Sequence, residues 1–93
     1  MSAAKTREAI CSEVARLLRE ERLKRGLSLN ALAEKSGLSR QMVSYVEQEK
    51  RNPSLDTLLR ISEVLQIKLD EILRRARFAT AKEQPKKVES TTI

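Results

Sequence analysis

Residues 29–48 read LNALAEKSGLSRQMVSYVEQ, and this stretch decides the fold. Leu29, Leu32 and Ala33 keep helical spacing and form the inward face of a short helix. Gly37 follows them where the chain must turn, because a residue with a Cβ resists the left-handed conformation that a tight turn needs. Ser39 is placed to cap a second helix from Arg40 to about Gln48. In that helix Val43 and Val46 share one side, while Arg40, Gln41, Ser44 and Tyr45 project elsewhere. Position, two residues after Val43 and one before Val46, puts Tyr45 off the buried side. The result is an amphipathic segment whose outward face is rich in hydrogen-bonding groups.

Working outward, Gly26 ends a preceding amphipathic helix, predicted from Thr6 to Arg25 with Ile10, Val14, Leu17, Leu18 and Leu23 as its apolar residues. Ser28 caps the helix that begins at Leu29. Downstream, Asn52-Pro53-Ser54 is a break followed by a cap. Leu55, Leu58, Leu59, Ser62 and Leu65, widened by Ile61 and Val64, make the stripe of a fourth helix. A fifth begins near Leu69 and uses Ile72, Leu73 and Ala76. Beyond about Ala81 the stretch KEQPKKVESTTI has little to bury and is expected to be a disordered tail. No alternating strand pattern, long repeat or sustained heptad is present. The fold class is therefore all-α with five helices: 1–13 an N-terminal extension of the first helix, 14–76 the folded body, and 77–93 a helix end with a basic tail.

Composition narrows the chemistry. The chain has 93 residues, 19 Lys and Arg against 13 Asp and Glu, a net charge of +6, no His or Trp, one cysteine, and Tyr45 and Phe78 as its aromatics. A chain this short supports one small domain with little core to spare for a substrate cavity. Without histidine there is no imidazole base, and a lone Cys11 gives neither a disulfide framework nor a Cys/His zinc site, so no metal, cofactor or enzymatic activity is expected. Cys11 reads as a small packing residue or an idle reduced thiol. No apolar run reaches about 18 residues and no signal peptide is visible, so a soluble, cytoplasmic protein without a membrane partner is expected. The basic balance favours a polyanion, and the shortage of aromatic stacking platforms favours duplex DNA over single strands. The charge is uneven: residues 1–25 carry +3, residues 26–73 carry −1 and residues 74–93 carry +4.

The stretch from Leu29 to Gln48, with the flanking GLS at Gly26 and NPSLDTLLRISEVLQI at Asn52, resembles the helix-turn-helix of the phage-repressor and Cro-like proteins, the Xre family. The resemblance runs from about Val14 to Leu73. Each feature of the pattern has a physical role: Ala33 lets the second and third helices approach closely, Gly37 makes the turn, and Leu32, Leu38, Val43 and Val46 form the shared core. Ala33 and Gly37 alone would suit any antiparallel helix pair; the flanking matches carry the likeness. The basic first helix also has the sign of a membrane-surface element, although its leucines suit the core of a five-helix domain.

That resemblance implies that the third helix enters the major groove. Arg40, Gln41, Ser44 and Tyr45 then meet base edges: Arg40 suits guanine O6 and N7, and Gln41 suits adenine N6 and N7, each such pair discriminating by roughly 1 to 3 kcal/mol. Phosphates would be held by the helix starts after Ser28 and Ser39 and by Asn30, Lys50, Arg51 and Asn52. Arg22 and Glu47 match a pair that is buried and ionic in relatives. There are departures as well. Leu29 stands where many relatives have a phosphate-contacting glutamine. Glu49 and Gln66 stand where glycine often ends a helix, so longer helices are expected there, and Lys68 replaces a small polar cap. Glu49 also places a carboxylate beside the phosphate path, weakening binding unless Lys50 and Arg51 neutralise it.

The expected function is a sequence-specific, double-stranded-DNA-binding transcriptional regulator, paired as a homodimer on a palindromic operator because one module offers little area. Ile72, Leu73, Ala76 and Phe78 are the leading dimer surface, with Ala9 and Ile10 as the second. Twenty residues after Leu73 are too few for an effector domain, so control is expected from concentration, a protein partner or competing operators. Rival expectations are a restriction-modification controller, an antitoxin-type partner, and a protein-interaction adaptor whose DNA contact is secondary.

Overall fold

The computed structural model describes residues 2–82, and the expected disordered tail lies outside them apart from its first residue, Lys82. Five helices and no strand occur among the described residues: α1 (Ala3–Lys24), α2 (Leu29–Ser36), α3 (Arg40–Glu47), α4 (Leu55–Leu65) and α5 (Leu69–Lys82).

Four of the five helices start on serine. The hydroxyls of Ser2, Ser28, Ser39 and Ser54 accept from the amides of Lys5, Ala31, Met42 and Thr57 at 3.2, 3.0, 3.0 and 3.1 Å. Each satisfies an amide that the helix cannot, stabilising by about 1 kcal/mol. α5 lacks such a cap; the Glu71 and Ile72 amides donate to the Lys68 carbonyl instead, and Asp70 and Glu71 place negative charge in its first turn.

The helix ends share a second device. Gly26, Gly37, Glu49 and Gln66 all have positive φ, at 69°, 76°, 61° and 58°. At each, the next amide donates to the carbonyl five residues earlier: Leu27 to Arg22, Leu38 to Ala33, Lys50 to Tyr45 and Ile67 to Ser62, at 2.9 to 3.2 Å. Glu49 and Gln66 therefore do not lengthen their helices as expected. The chain turns there as it does at glycine, and the capping bond offsets a left-handed cost of roughly 1–2 kcal/mol.

The core is built from Val14 and Leu18 of α1, Leu32 and Ala33 of α2, Val43 and Val46 of α3, Ile61 and Leu65 of α4, and Ile72 and Ala76 of α5. Three leucines expected inside lie outside: Leu23, Leu55 and Leu59 are exposed. At the end of α1 the inward places are taken by Glu21 and Arg22, and in α4 by Thr57, Ile61, Ser62 and Leu65. Ile72 and Ala76 need the opposite correction. Both are fully enclosed in the chain's own core and are unavailable to a second copy, whereas Leu73 and Phe78 on the same helix are exposed. α5 packs along α1, and Glu21 of α1 binds the α5 residue Arg75 at 3.7 Å, with Lys24 and Arg25 also beside its carboxylate.

Candidate nucleic-acid interface

Burial of Val43 and Val46 fixes the rotation of α3, and its opposite side is left to solvent. Arg40 and Gln41 are exposed on it, and Ser44 and Tyr45 are half-buried. Two hydrogen bonds run along this face between residues one helical turn apart. Gln41 Nε2 donates to the Tyr45 hydroxyl at 2.7 Å, and Gln48 Nε2 donates to Ser44 Oγ at 2.8 Å. The Arg51 guanidinium lies over the Tyr45 ring, 5.6 Å from its centre, within cation–π range.

The two carboxylates between residues 40 and 52 are both engaged by α1. Arg22 meets Glu47 in a two-pronged ion pair, Nε to Oε2 at 2.7 Å and Nη2 to Oε1 at 3.0 Å, with both side chains buried. Arg22 Nη1 donates to the Leu27 carbonyl at 2.8 Å, tying the α1–α2 turn to the same pair. The Glu49 carboxylate accepts from the Ser12 hydroxyl at 2.6 Å and pairs with neither Lys50 nor Arg51. The left-handed turn at Glu49 swings its carboxylate toward α1. The Ser12 hydroxyl is neutral, so Glu49 keeps its charge; Lys50 and Arg51 outnumber it on the loop and are not tied to it.

Lys50, Arg51 and Asn52 are exposed on that loop, and Ser28 and Asn30 are exposed at the start of α2. Ser28 and Ser39 use their oxygens as caps, which leaves their hydroxyl protons and the remaining first-turn amides to face an anion. Leu29 is half-buried against the core, so its side chain packs inward where a polar residue would reach out. One residue escapes a reading along the sequence: Arg19 of α1 is exposed and lines a hollow with Leu29, Ser44 and Gln48. Its signal was only one arginine among seven basic residues in the first 25. Arg19, Arg40, Lys50 and Arg51 have no carboxylate partner among the described residues.

Behind this face the α2–α3 turn is braced by α4. Arg60 Nη1 donates to the Ser36 carbonyl at 3.3 Å and stands 3.0 Å from where a Cβ on Gly37 would lie. Gly37 thus answers both to its φ and to a close neighbour. The hydrogen bond from Arg60 to Asp56, and then the Asp56 charge, raise the pKa of the guanidinium above its ordinary value.

Among the described residues no group of three acidic, cysteine or histidine side chains is placed to hold a metal ion, and no helix is long and apolar enough to cross a membrane.

Comparison with known proteins gives a consistent picture. A helix-turn-helix family model matches residues 18–72. The restriction-modification controller protein C.AhdI from Aeromonas hydrophila has a similar structure, with a TM-score of 0.63, 38% identity, and coverage of 68% of this chain and 94% of that one. A variant of the controller C.Esp1396I bound to its highest-affinity operator site aligns with a TM-score of 0.70 and 25% identity over 78% of this chain and 96% of that one. The clp gene regulator ClgR from Corynebacterium glutamicum shares the fold, with a TM-score of 0.73 at 22% identity, covering 89% of this chain and 88% of that one. A search of curated proteins finds no significant match.

Proposed function

The chain belongs to the Xre-type helix-turn-helix family, and from that premise we propose that it is a transcriptional regulator that binds double-stranded DNA sequence-specifically as a homodimer. One observation carries this: Arg40 on α3, Lys50 and Arg51 on the following loop and Arg19 on α1 have no carboxylate partner among the described residues, while Glu47 is neutralised by Arg22 and Glu49 is hydrogen-bonded to Ser12. With α3 in the major groove, Arg40, Gln41 and Ser44 meet base edges. Lys50, Arg51 and Asn52, the α2 start at Ser28 and Asn30, and the α3 start at Ser39 hold phosphates, joined by Arg19 from α1. Phosphates fix the register and bases supply the choice.

A second copy supplies the other half-site. Leu55 and Leu59, one turn apart, are exposed on α4, Leu59 lines an open hollow with Ile67 and Leu69, and this strip is the pairing surface we favour over Leu73 and Phe78. Leu55→Glu with Leu59→Glu is expected to give a monomer in analytical ultracentrifugation; an unchanged dimer would move the interface elsewhere.

Selection of bound sequences from a random duplex pool tests the main reading. A palindromic consensus is expected, with affinity falling steeply as salt rises. Arg40→Ala and Gln41→Ala are each expected to relax choice at one base by about 5- to 150-fold. No enriched sequence at low salt would overturn the reading in favour of an adaptor. Similarity to C.AhdI over nearly all of that controller favours a narrower role in a restriction-modification system. A selected operator that occurs beside neither a methyltransferase nor an endonuclease gene would exclude that role.

A further inference from the structure

Tyr45 occupies the centre of a contact chain that joins a base-reading residue to a phosphate-holding one. Its hydroxyl receives the Gln41 side-chain amide at 2.7 Å, and its ring lies beneath the Arg51 guanidinium, 5.6 Å from the ring centre. Tyr45 is itself half-buried, one residue before the fully packed Val46, so its ring is the best-anchored of the three side chains. Gln41 and Arg51 are both exposed, and each has several rotatable bonds that would otherwise be free.

Resting on the DNA-binding reading above, we infer that Tyr45 is a positioning residue, not a base reader: it holds Gln41 in register for a base and Arg51 in register for the adjoining phosphate. The hydrogen-bond chemistry fits. A glutamine amide pairs bidentately with adenine through its oxygen, accepting from N6, and one N–H, donating to N7. Its second N–H is surplus to that pair, and the Tyr45 oxygen takes it. The contact therefore fixes the amide's orientation while leaving both base-facing groups available. On the other side, stacking over an aromatic ring orients the planar guanidinium without consuming any of its five donors. The same ring thus lowers the ordering cost of two contacts that read different parts of the DNA.

This arrangement predicts a split between two substitutions. Tyr45→Phe keeps the ring and loses the hydroxyl. It should lower discrimination at the Gln41 base by roughly 2- to 10-fold, the worth of one neutral hydrogen bond. Tyr45→Leu loses both and should also reduce the slope of log affinity against log salt, by up to about one phosphate contact, as Arg51 loses its platform.

The decisive experiment is a double-mutant cycle on the full chain. Affinities for the selected operator and for a variant altered at the Gln41 base are measured across a salt series for wild type, Tyr45→Phe, Tyr45→Leu, Gln41→Ala and the Gln41→Ala/Tyr45→Phe pair. Support is a loss of discrimination in Tyr45→Phe that disappears in the Gln41→Ala background, with a reduced salt slope in Tyr45→Leu alone. An equal loss in both backgrounds would mean that Tyr45 reads a base directly, and no loss in either would mean that the hydroxyl positions nothing; each overturns the inference while the regulator reading stands. A wild-type chain that selects no sequence overturns the regulator reading instead.

Discussion

Arginine meets two fates in this protein. Along the α1–α5 side Arg16 is bracketed by Glu13 and Glu20, and Arg75 bridges Glu71 of its own helix to Glu21 of α1. Around α3, by contrast, Arg19, Arg40, Lys50 and Arg51 have no acidic partner among the described residues, although residues 26–73 as a group carry −1. A segment's net charge therefore says little about its field. Binding to a phosphate backbone depends on which charges remain after internal pairing, and here Arg22 of α1 neutralises Glu47 from behind.

Glu47 is where that contrast is easiest to break, because it belongs to α3 by sequence and to α1 by contact. Glu47→Ala leaves the Arg22 guanidinium buried without its partner, and a loss of about 3–5 kcal/mol in stability is expected from urea unfolding. A change below about 1 kcal/mol would show that the pair is not what joins α1 to the motif. A smaller effect is expected from Lys50→Ala combined with Arg51→Ala. Stability should barely move, while the salt slope of DNA binding should fall by about two phosphate contacts; an unchanged slope would remove the loop from the interface. Smallest of all, Arg16→Ala should cost no more than about 0.5 kcal/mol in thermal or chemical unfolding and leave the salt slope untouched, since its exposed ion pairs are weak and its charge is already met by Glu13 and Glu20. A drop in slope comparable to that of the loop variant would erase the distinction between the two sides.

Much of the fold was legible because the relevant forces are local. Serine before an apolar run marked the starts of α2, α3 and α4, and the spacing of Val43 and Val46 gave the orientation of α3. Where periodicity failed, competition for inward positions was the reason. Leu55 and Leu59 satisfy the helical spacing of α4, yet the face that meets the core is the one bearing Ile61 and Leu65. Ile72 and Ala76 looked as available as Leu73 until α5 was placed against α1. Arg19 was invisible as a site residue because nothing in its neighbourhood along the chain marks it; only the approach of α1 to Ser44 and Gln48 does.

By itself, then, the sequence determined five helices, the serine caps of α2, α3 and α4, the turn at Gly37 and the polar outer face of α3, since each depends on residues within about five positions of one another. The tertiary structure decided the electrostatics. Arg22 reaches Glu47 across 25 positions and Ser12 reaches Glu49 across 37, distances along the chain that no local pattern spans. One local feature ran against side-chain preference: Glu49 and Gln66 take left-handed turns, where the next amide donates to the carbonyl five residues back. Pairing of charges needs proximity in space, and only the packed helices create it.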